Sequence, residues 1–251
     1  MKYLTILLSI SYHLILSQIK IEWPQNTIDN FKQQPDSIYQ SWDDFNTEIL
    51  SLQNESYSKG LLEFSMDSLT TNDSITFFPH MTIGKPYYWN SIELTTKGIK
   101  IPKTVVRNWK NNLVTPEDLT KRIDNIIYFF QKNGYPFTSV KLDSIHLKDK
   151  NISGYLIIKP GTKIKWDTLT ISGDITLTKY YLENYLGIKV NKTYNEQTFR
   201  ETSKKIKELP FVTLLKPPAI IFNKKKASIQ LSLKNKTANF INGIIGILPN
   251  T

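Results

Sequence analysis

The sequence predicts an α+β protein assembled from repeated β-α-α-β-β modules. Three observations carry this reading. A tryptophan-centred segment recurs after a fixed interval, and a helix-ending tripeptide recurs after nearly the same interval. Between these landmarks the apolar positions switch from the helical period to the strand period and back.

The first match sets Gly84-Lys-Pro-Tyr-Tyr-Trp89-Asn-Ser-Ile92-Glu-Leu94 against Gly161-Thr-Lys-Ile-Lys-Trp166-Asp-Thr-Leu169-Thr-Ile171, a shift of 77 residues from Gly84 to Gly161. Tyr87 and Ile164 match at the same shift. Both segments place an apolar pair two apart, then a step of three, then another pair two apart. That spacing describes a strand whose inward face changes once, as at a bulge. The second match sets Tyr135-Pro136-Phe137 against Leu209-Pro210-Phe211, a shift of 74 residues. Each tripeptide ends a helical pattern and opens a strand.

Read element by element, the clearer of the two copies begins with a strand over Trp89 to Thr95 and a short helix over Lys103 to Lys110. Thr115 is a good N-cap, with Pro116 at the first helical position and Glu117 and Asp118 in the first turn. Leu119, Ile123, Ile126, Ile127 and Phe130 then form one apolar helix face, and Gly134 stops the helix. Two strands follow, Val140 to Leu147 and Ser153 to Lys159, around a turn at Asp149-Lys150-Asn151.

The next copy repeats the plan. Ile164 to Ser172 is a strand, and Thr178 caps a short helix that ends at Gly187. Asn195 or Thr193 caps a second helix that turns Phe199, Ile206 and Leu209 inward. Phe211 to Leu215 and Ile220 to Asn223 read as strand pieces interrupted by Pro217-Pro218. Ala227 to Leu233 alternates cleanly through Ile229, Leu231 and Leu233. Upstream of Gly84 the pattern is less regular. Ile38 to Leu52 reads as a helix, Leu61 to Leu69 and Asp73 to Ile83 as strands, and Ile19 to Trp23 as a first strand. This is an irregular, degenerate version of the same unit.

Composition narrows the function classes. The chain has 251 residues, 40% of them hydrophobic and 12% aromatic, which fits folded material. It has no cysteine, so disulfides, thiolate metal sites and cysteine nucleophiles are excluded. The formal net charge is +10, from 32 Lys+Arg against 22 Asp+Glu. The lysines are scattered apart from Lys224, Lys225 and Lys226, and no nucleic-acid-binding signature accompanies them. That run reads as a solvated hairpin turn or as a contact with anionic head groups at a membrane surface.

Met1-Lys2 followed by a nearly apolar stretch from Tyr3 to Leu16 reads as a signal peptide ending at Ser17. The other readings are an uncleaved anchor or a buried helix. Nothing later in the chain is long and apolar enough to cross a membrane as a helix. The three histidines, His13, His80 and His146, form no ligand pair. No nucleophile elbow, phosphate-cradling loop or dinucleotide fingerprint is present. Glu117 and Asp118 are explained by the helix dipole, and Trp89 and Trp166 by core packing. No residue set selects a catalytic, metal or cofactor site, and no cofactor is expected.

Taken together, the repeated units resemble the POTRA (polypeptide-transport-associated) domain. The resemblance rests on the strand from Lys163 through Trp166 to Gly173-Asp174, on Tyr185-Leu186-Gly187-Ile188-Lys189 between the two helices, and on Lys207-Glu208-Leu209-Pro210-Phe211-Val212 at the helix-to-strand step. Gly134-Tyr135-Pro136-Phe137 has a common family form, whereas Lys97-Gly98 departs from the expected turn. The tail, Asn239 to Pro249 with Gly243 and Gly246, resembles the opening strand of the barrel in BamA/TamA-type proteins. An ordinary exposed tail is the alternative.

The resemblance implies three-stranded mixed sheets, each packed against two helices. It divides the chain into a signal peptide (1–17), a degenerate module (18–83), two modules (84–160 and 161–236) and a barrel start or tail (237–251). It implies a non-enzymatic periplasmic scaffold, attached to the outer membrane if a barrel follows. Its partners would be unfolded outer-membrane proteins or periplasmic accessory proteins, held by strand addition. By the same resemblance, the strand after the second helix is the open edge, which nominates Thr138, Val140, Leu142, Val212 and Leu214. A stand-alone adaptor for a folded partner and an exported enzyme are the alternatives.

Overall fold

The structure, a computed structural model, describes residues 18–25, 29, 31–96, 98–106 and 108–236. The expected signal segment and the expected barrel start, with Gly243 and Gly246, lie outside the described residues. The fold is mixed α+β, with open sheets of three and four strands. The chain forms two compact units. One runs to Ile92 and takes in Trp109–Thr120 and Ile145–Ser153. The other comprises Glu93–Asn108, Lys121–Ser144 and the chain from Gly154 onward.

The first unit opens with a four-stranded sheet. Its elements are β1 (Ile19–Ile21), β2 (Ile38–Tyr39), α1 (Trp42–Ser58), β3 (Ser65–Thr71) and β4 (Thr76–Thr82), and the strand order is β2-β1-β4-β3. β1 runs parallel to β4, and β3 runs antiparallel to it. The helix expected from Ile38 starts instead at Trp42. Ser41 caps it, its hydroxyl accepting from Asp44 N at 3.2 Å, and Ile38 and Tyr39 extend to pair with β1. Phe45 and Leu52 turn inward, onto Ile21 and Tyr39 and onto Phe31 and Phe64 respectively.

A second sheet has the order β5-β7-β6, from β5 (Tyr88–Thr96), β6 (Ser139–Lys148) and β7 (Asn151–Lys159). The two-residue turn joining β6 and β7 places both Asp149 and Lys150 at positive φ, 47° and 63°. α2 (Pro116–Lys132) starts as expected, with Thr115 Oγ1 accepting from Asp118 N at 3.1 Å, and it buries Ile126 and Phe130.

Among the described residues from Lys103 to Lys110 the expected helix does not form. A single turn stands there, with Val105 N and Val106 N both donating to Pro102 O. Two causes combine. Val105-Val106 is a β-branched pair with weak helix propensity. The stretch from Trp89 to Asn111 spans 22 positions, against 25 from Trp166 to Asn191, so nearly one helical turn of chain is missing.

The third sheet lies wholly in the second unit. It has the order β8-β10-β9, from β8 (Lys165–Ser172), β9 (Val212–Asn223) and β10 (Lys226–Asn235), with β10 parallel to β8 and antiparallel to β9. Here both helices form, α3 (Lys179–Leu186) and α4 (Glu196–Glu208). Thr178 caps α3, Gly187 ends it at φ 77°, and Asn195 rather than Thr193 caps α4. Leu182, Leu186, Ile206, Ile229 and Leu231 form the centre of the core. Trp166 is buried against Tyr194, with ring centroids 4.7 Å apart, as Trp89 is against Trp109 at 5.1 Å.

Pro217-Pro218 does not split β9. The strand is continuous because it lies at the sheet edge, and the register slips twice beside the prolines, so their missing donors face no partner.

The repeat is also written in main-chain hydrogen bonds. Tyr87 N donates to Gly60 O at 2.9 Å, and Ile164 N donates to Gly134 O at 2.7 Å. Trp89 N reaches Asn112 O and Trp166 N reaches Lys192 O, both at 2.8 Å, while Asn111 N and Asn191 N return to the tryptophan carbonyls at 2.8 Å. Asn111 and Asn191 adopt the same left-handed conformation, φ 63° and 62°. Gly60 and Gly134 lie in close contact with the following copy. A Cβ at Gly60 would sit 2.7 Å from Leu113 Cδ1, and one at Gly134 would sit 2.5 Å from Thr193 Cγ2.

The side chains around the two joints differ. At the first, the Glu63 carboxylate accepts from Tyr87 OH at 2.7 Å and from Lys150 Nζ, and that ammonium also lies over the Tyr87 ring. The Lys150 hydrogen bond, reinforced by Tyr87, holds the Glu63 carboxyl below its ordinary range. At the second, Phe137 replaces Glu63 by the shift of 74 residues and packs on Phe222 at 4.8 Å.

Two predictions follow from these contacts. Gly173 has φ 102°, and a Cβ there would lie 2.0 Å from Leu233 O. Gly173→Ala is expected to cost about 3 kcal/mol or more in urea unfolding, through strain and overpacking together. Gly187→Ala, at φ 77° with nothing within 4 Å, is expected to cost only about 1 kcal/mol; equal losses would refute this account of Gly173. The depressed Glu63 carboxyl contributes stability above its ordinary value of 4.5, and that contribution is lost as pH falls through its lower folded value. Thermal scans across acidic pH should therefore show a shallower pH dependence in Glu63→Gln than in the parent chain.

Candidate functional site

Both nominated segments lie on edge strands, since β6 and β9 are outermost in their sheets. They are also repeat-equivalent, because the shift of 74 carries Thr138 to Val212 and Val140 to Leu214. The approach to each edge is the same tight turn. Thr138 N donates to Tyr135 O and Val212 N to Leu209 O, each at 3.4 Å, and Phe64 N repeats the contact to Leu61 O at 3.3 Å.

That turn changes what the first nominated residues offer. The amides of Thr138 and Val212 are already used. Thr138 stands just ahead of β6, and its hydroxyl donates to Tyr135 O and approaches Pro160 O, at 2.9 and 3.1 Å. Lys236 N donates to Phe211 O, while Asn235 N turns the other way to Asp174 O. The alternation of an antiparallel ladder therefore turns the main-chain groups of Leu214 away from β10. Val140 is its counterpart on β6.

The nominated side chains face inward. Val212 is buried and Leu214 packs on the core, while Val140 and Leu142 are half-buried. A strand added at either edge would meet main-chain groups, with Ser139, Lys141 and Thr213 as the exposed side chains between them.

Each edge is short. On β6, Ser144 takes φ 50° directly after Asp143, whose carboxylate accepts from Ser144 N and from Lys141 Nζ, each at 2.7 Å. The Lys141 contact, followed by the Ser144 amide, holds the Asp143 carboxyl below its usual range. On β9 the prolines and the two register slips follow Leu214. A charge pair on one edge, and prolines on the other, are devices that limit strand pairing.

The lysine run is divided by the hairpin it builds. Lys224, at φ 52°, and Lys225 form the turn. Lys226 opens β10 and is paired with Asp167 at 2.7 Å, and this contact is the largest cause of the lowered Asp167 carboxyl. Only Lys224 and Lys225 are therefore placed to meet an anionic surface. Among the described residues, no cluster of His, Asp and Glu could hold a metal ion, and no helix is long and apolar enough to cross a membrane.

Sequence reasoning missed the glycine joints, although Gly60 and Gly134 are themselves 74 residues apart, the shift already seen in the Pro-Phe tripeptides. It also missed Arg122, which is buried in α2 and donates to Asn108 O at 3.0 Å. A single arginine on a helix reads as solvent-facing, and nothing in its spacing marks the exception.

No protein-family model matches the chain, and no curated protein matches it. Solved structures do. POTRA domains 3–5 of BamA from Haemophilus influenzae superpose with a TM-score of 0.51 at 13% identity, covering 86% of this chain and 96% of that one. The N-terminal domain of Omp85 from the cyanobacterium Thermosynechococcus elongatus gives a TM-score of 0.38 at 10% identity, over 89% of this chain and 97% of that one. The BamA match shows that the fold of this chain is that of POTRA domains.

Proposed function

We propose that this chain is the periplasmic scaffold of an outer-membrane protein assembly or translocation factor. In this reading it consists of a degenerate module at 18–83 and two further modules at 84–160 and 161–236. It acts without chemistry of its own, binding extended segments of barrel precursors by adding them as strands to β6 and β9.

The observation that carries the proposal is the repeat of one short pairing edge. Val140 and Leu214 occupy equivalent places immediately after the same turn, on outermost strands, in a POTRA fold. Main-chain pairing tolerates many client sequences, which suits a receptor for diverse barrel strands. The first sheet keeps the same parallel and antiparallel pairings, β1 with β4 and β4 with β3, which supports counting it as a module. The pairing of its edge strand β3 is irregular, with a register shift between Met66 and Ser68.

Leu214→Pro tests the edge directly. It removes an outward amide and leaves the internal ladder intact. Binding of a fluorescent peptide of alternating polarity should weaken by about tenfold, on the order of one to two hydrogen bonds. A peptide with a different sequence but the same alternation should bind comparably. Unchanged affinity in Leu214→Pro, with an unaltered circular dichroism spectrum, would remove β9 as the binding edge.

The turn lysines add a second expectation. Replacing Lys224 and Lys225 with alanine should lower partitioning onto anionic vesicles at low salt by about 1 kcal/mol for each lysine, and high salt should erase the difference. Equal partitioning in a sedimentation assay would show that the turn plays no part at the membrane surface.

A further inference from the structure

Position 96 distinguishes the two regular copies chemically. The shift of 77 carries Thr96 onto Gly173, the glycine pressed against Leu233 O. In that copy the end of β8 is closed onto β10. Asn235 N donates to Asp174 O at 2.8 Å, and the Asn235 side-chain oxygen accepts from Thr176 N at 3.2 Å. A threonine cannot make so close an approach.

Beside Thr96 lies an open cleft of about 690 Å³, within the size range of small-molecule sites. Its walls are mainly apolar, from Ile99, Tyr135, Ile157 and Pro160, and Thr96 lines it as well. The Thr96 hydroxyl is buried and has no hydrogen-bond partner among the described residues. A second cavity of about 500 Å³ adjoins the first, since Ile99 and Tyr135 line both. It brings in Lys100, Lys132 and Lys163 and no carboxylate. Among the described residues none of these three lysines forms an ion pair. Lys132 lies over the Tyr128 ring at 5.2 Å, and Lys163 lies over the Tyr135 ring at 5.7 Å.

We propose that this cleft binds a free, single-chain amphiphile with an anionic head, such as a fatty acid. The chain occupies the apolar cavity, and the head sits among Lys100, Lys132 and Lys163. Two complementarities select this class. An apolar slot excludes small hydrophilic anions, and an unpaired basic rim without carboxylates disfavours cationic amphiphiles. The site is separate from the pairing edges and does not depend on the chain's binding precursors.

The test is calorimetric titration of the full chain with decanoate below its micelle concentration. Decyltrimethylammonium, acetate and phosphatidylglycerol vesicles serve as the comparison ligands. Decanoate is expected to bind saturably at one site. Affinity should fall by about tenfold or more in Lys163→Glu and in Lys100→Glu, as expected when a like charge replaces a complementary one. Ile99→Trp, which fills the cleft from a partly exposed position, should block binding without altering circular dichroism. Acetate and decyltrimethylammonium should not saturate. The proposal is overturned if decanoate fails to saturate, if the cationic amphiphile binds equally, if the variants bind like the parent, or if only the vesicles bind.

Discussion

One contact organises the chain: a glycine carbonyl at the end of a helix accepts the amide that precedes the next copy's first strand. Tyr87 N to Gly60 O and Ile164 N to Gly134 O are the two instances. Each glycine must have positive φ, 72° and 91°, and must lack a Cβ, because the following copy presses Leu113 or Thr193 into the space a side chain would fill. Helix termination, strand entry and attachment of the next copy are thereby accomplished at one residue. Gly60 and Gly134 also precede the short turns that start β3 and β6, so the placement of Val140 follows from where Gly134 stops the helix; ahead of Leu214 the helix ends without a glycine, at Glu208 and Leu209.

Much of this was legible in the sequence because it depends on local rules. Thr115, Thr178 and Asn195 announce helix starts through capping chemistry, and Gly187 announces a stop. The alternation from Ala227 to Leu233 announces the central strand, the one paired on both sides, and those residues are indeed the most uniformly buried. The strand repeated around Trp89 and Trp166 was visible because two large aromatic residues hold identical places in two cores.

What stayed hidden depends on tertiary context. Pro217-Pro218 looks like an interruption until β9 is known to be an edge. Val105 and Val106 can be read as helical until the shorter connection around them is compared with that of the next copy. The first glycine joint lacks the proline landmark, since Leu61-Leu62-Glu63-Phe64 stands where the later copies have Tyr135-Pro136-Phe137-Thr138 and Leu209-Pro210-Phe211-Val212. The edge residues, Val140 and Leu214 among them, were nominated through the family resemblance. The loss of the Thr138 and Val212 amides to the turn required the coordinates.

The brevity of the two edges has a kinetic consequence. The extended backbone of β6 is interrupted by the positive φ of Ser144, and the regular pairing of β9 by its prolines. A guest strand can therefore form only a few main-chain bonds, each contributing about 1 kcal/mol net. A few such bonds correspond to dissociation constants of roughly millimolar order. Under the strand-addition proposal, residence at a single edge is brief, and tight holding arises only when several weak grips act on one flexible polypeptide. A passenger so held would leave spontaneously, its direction of travel set by whichever destination lets it fold.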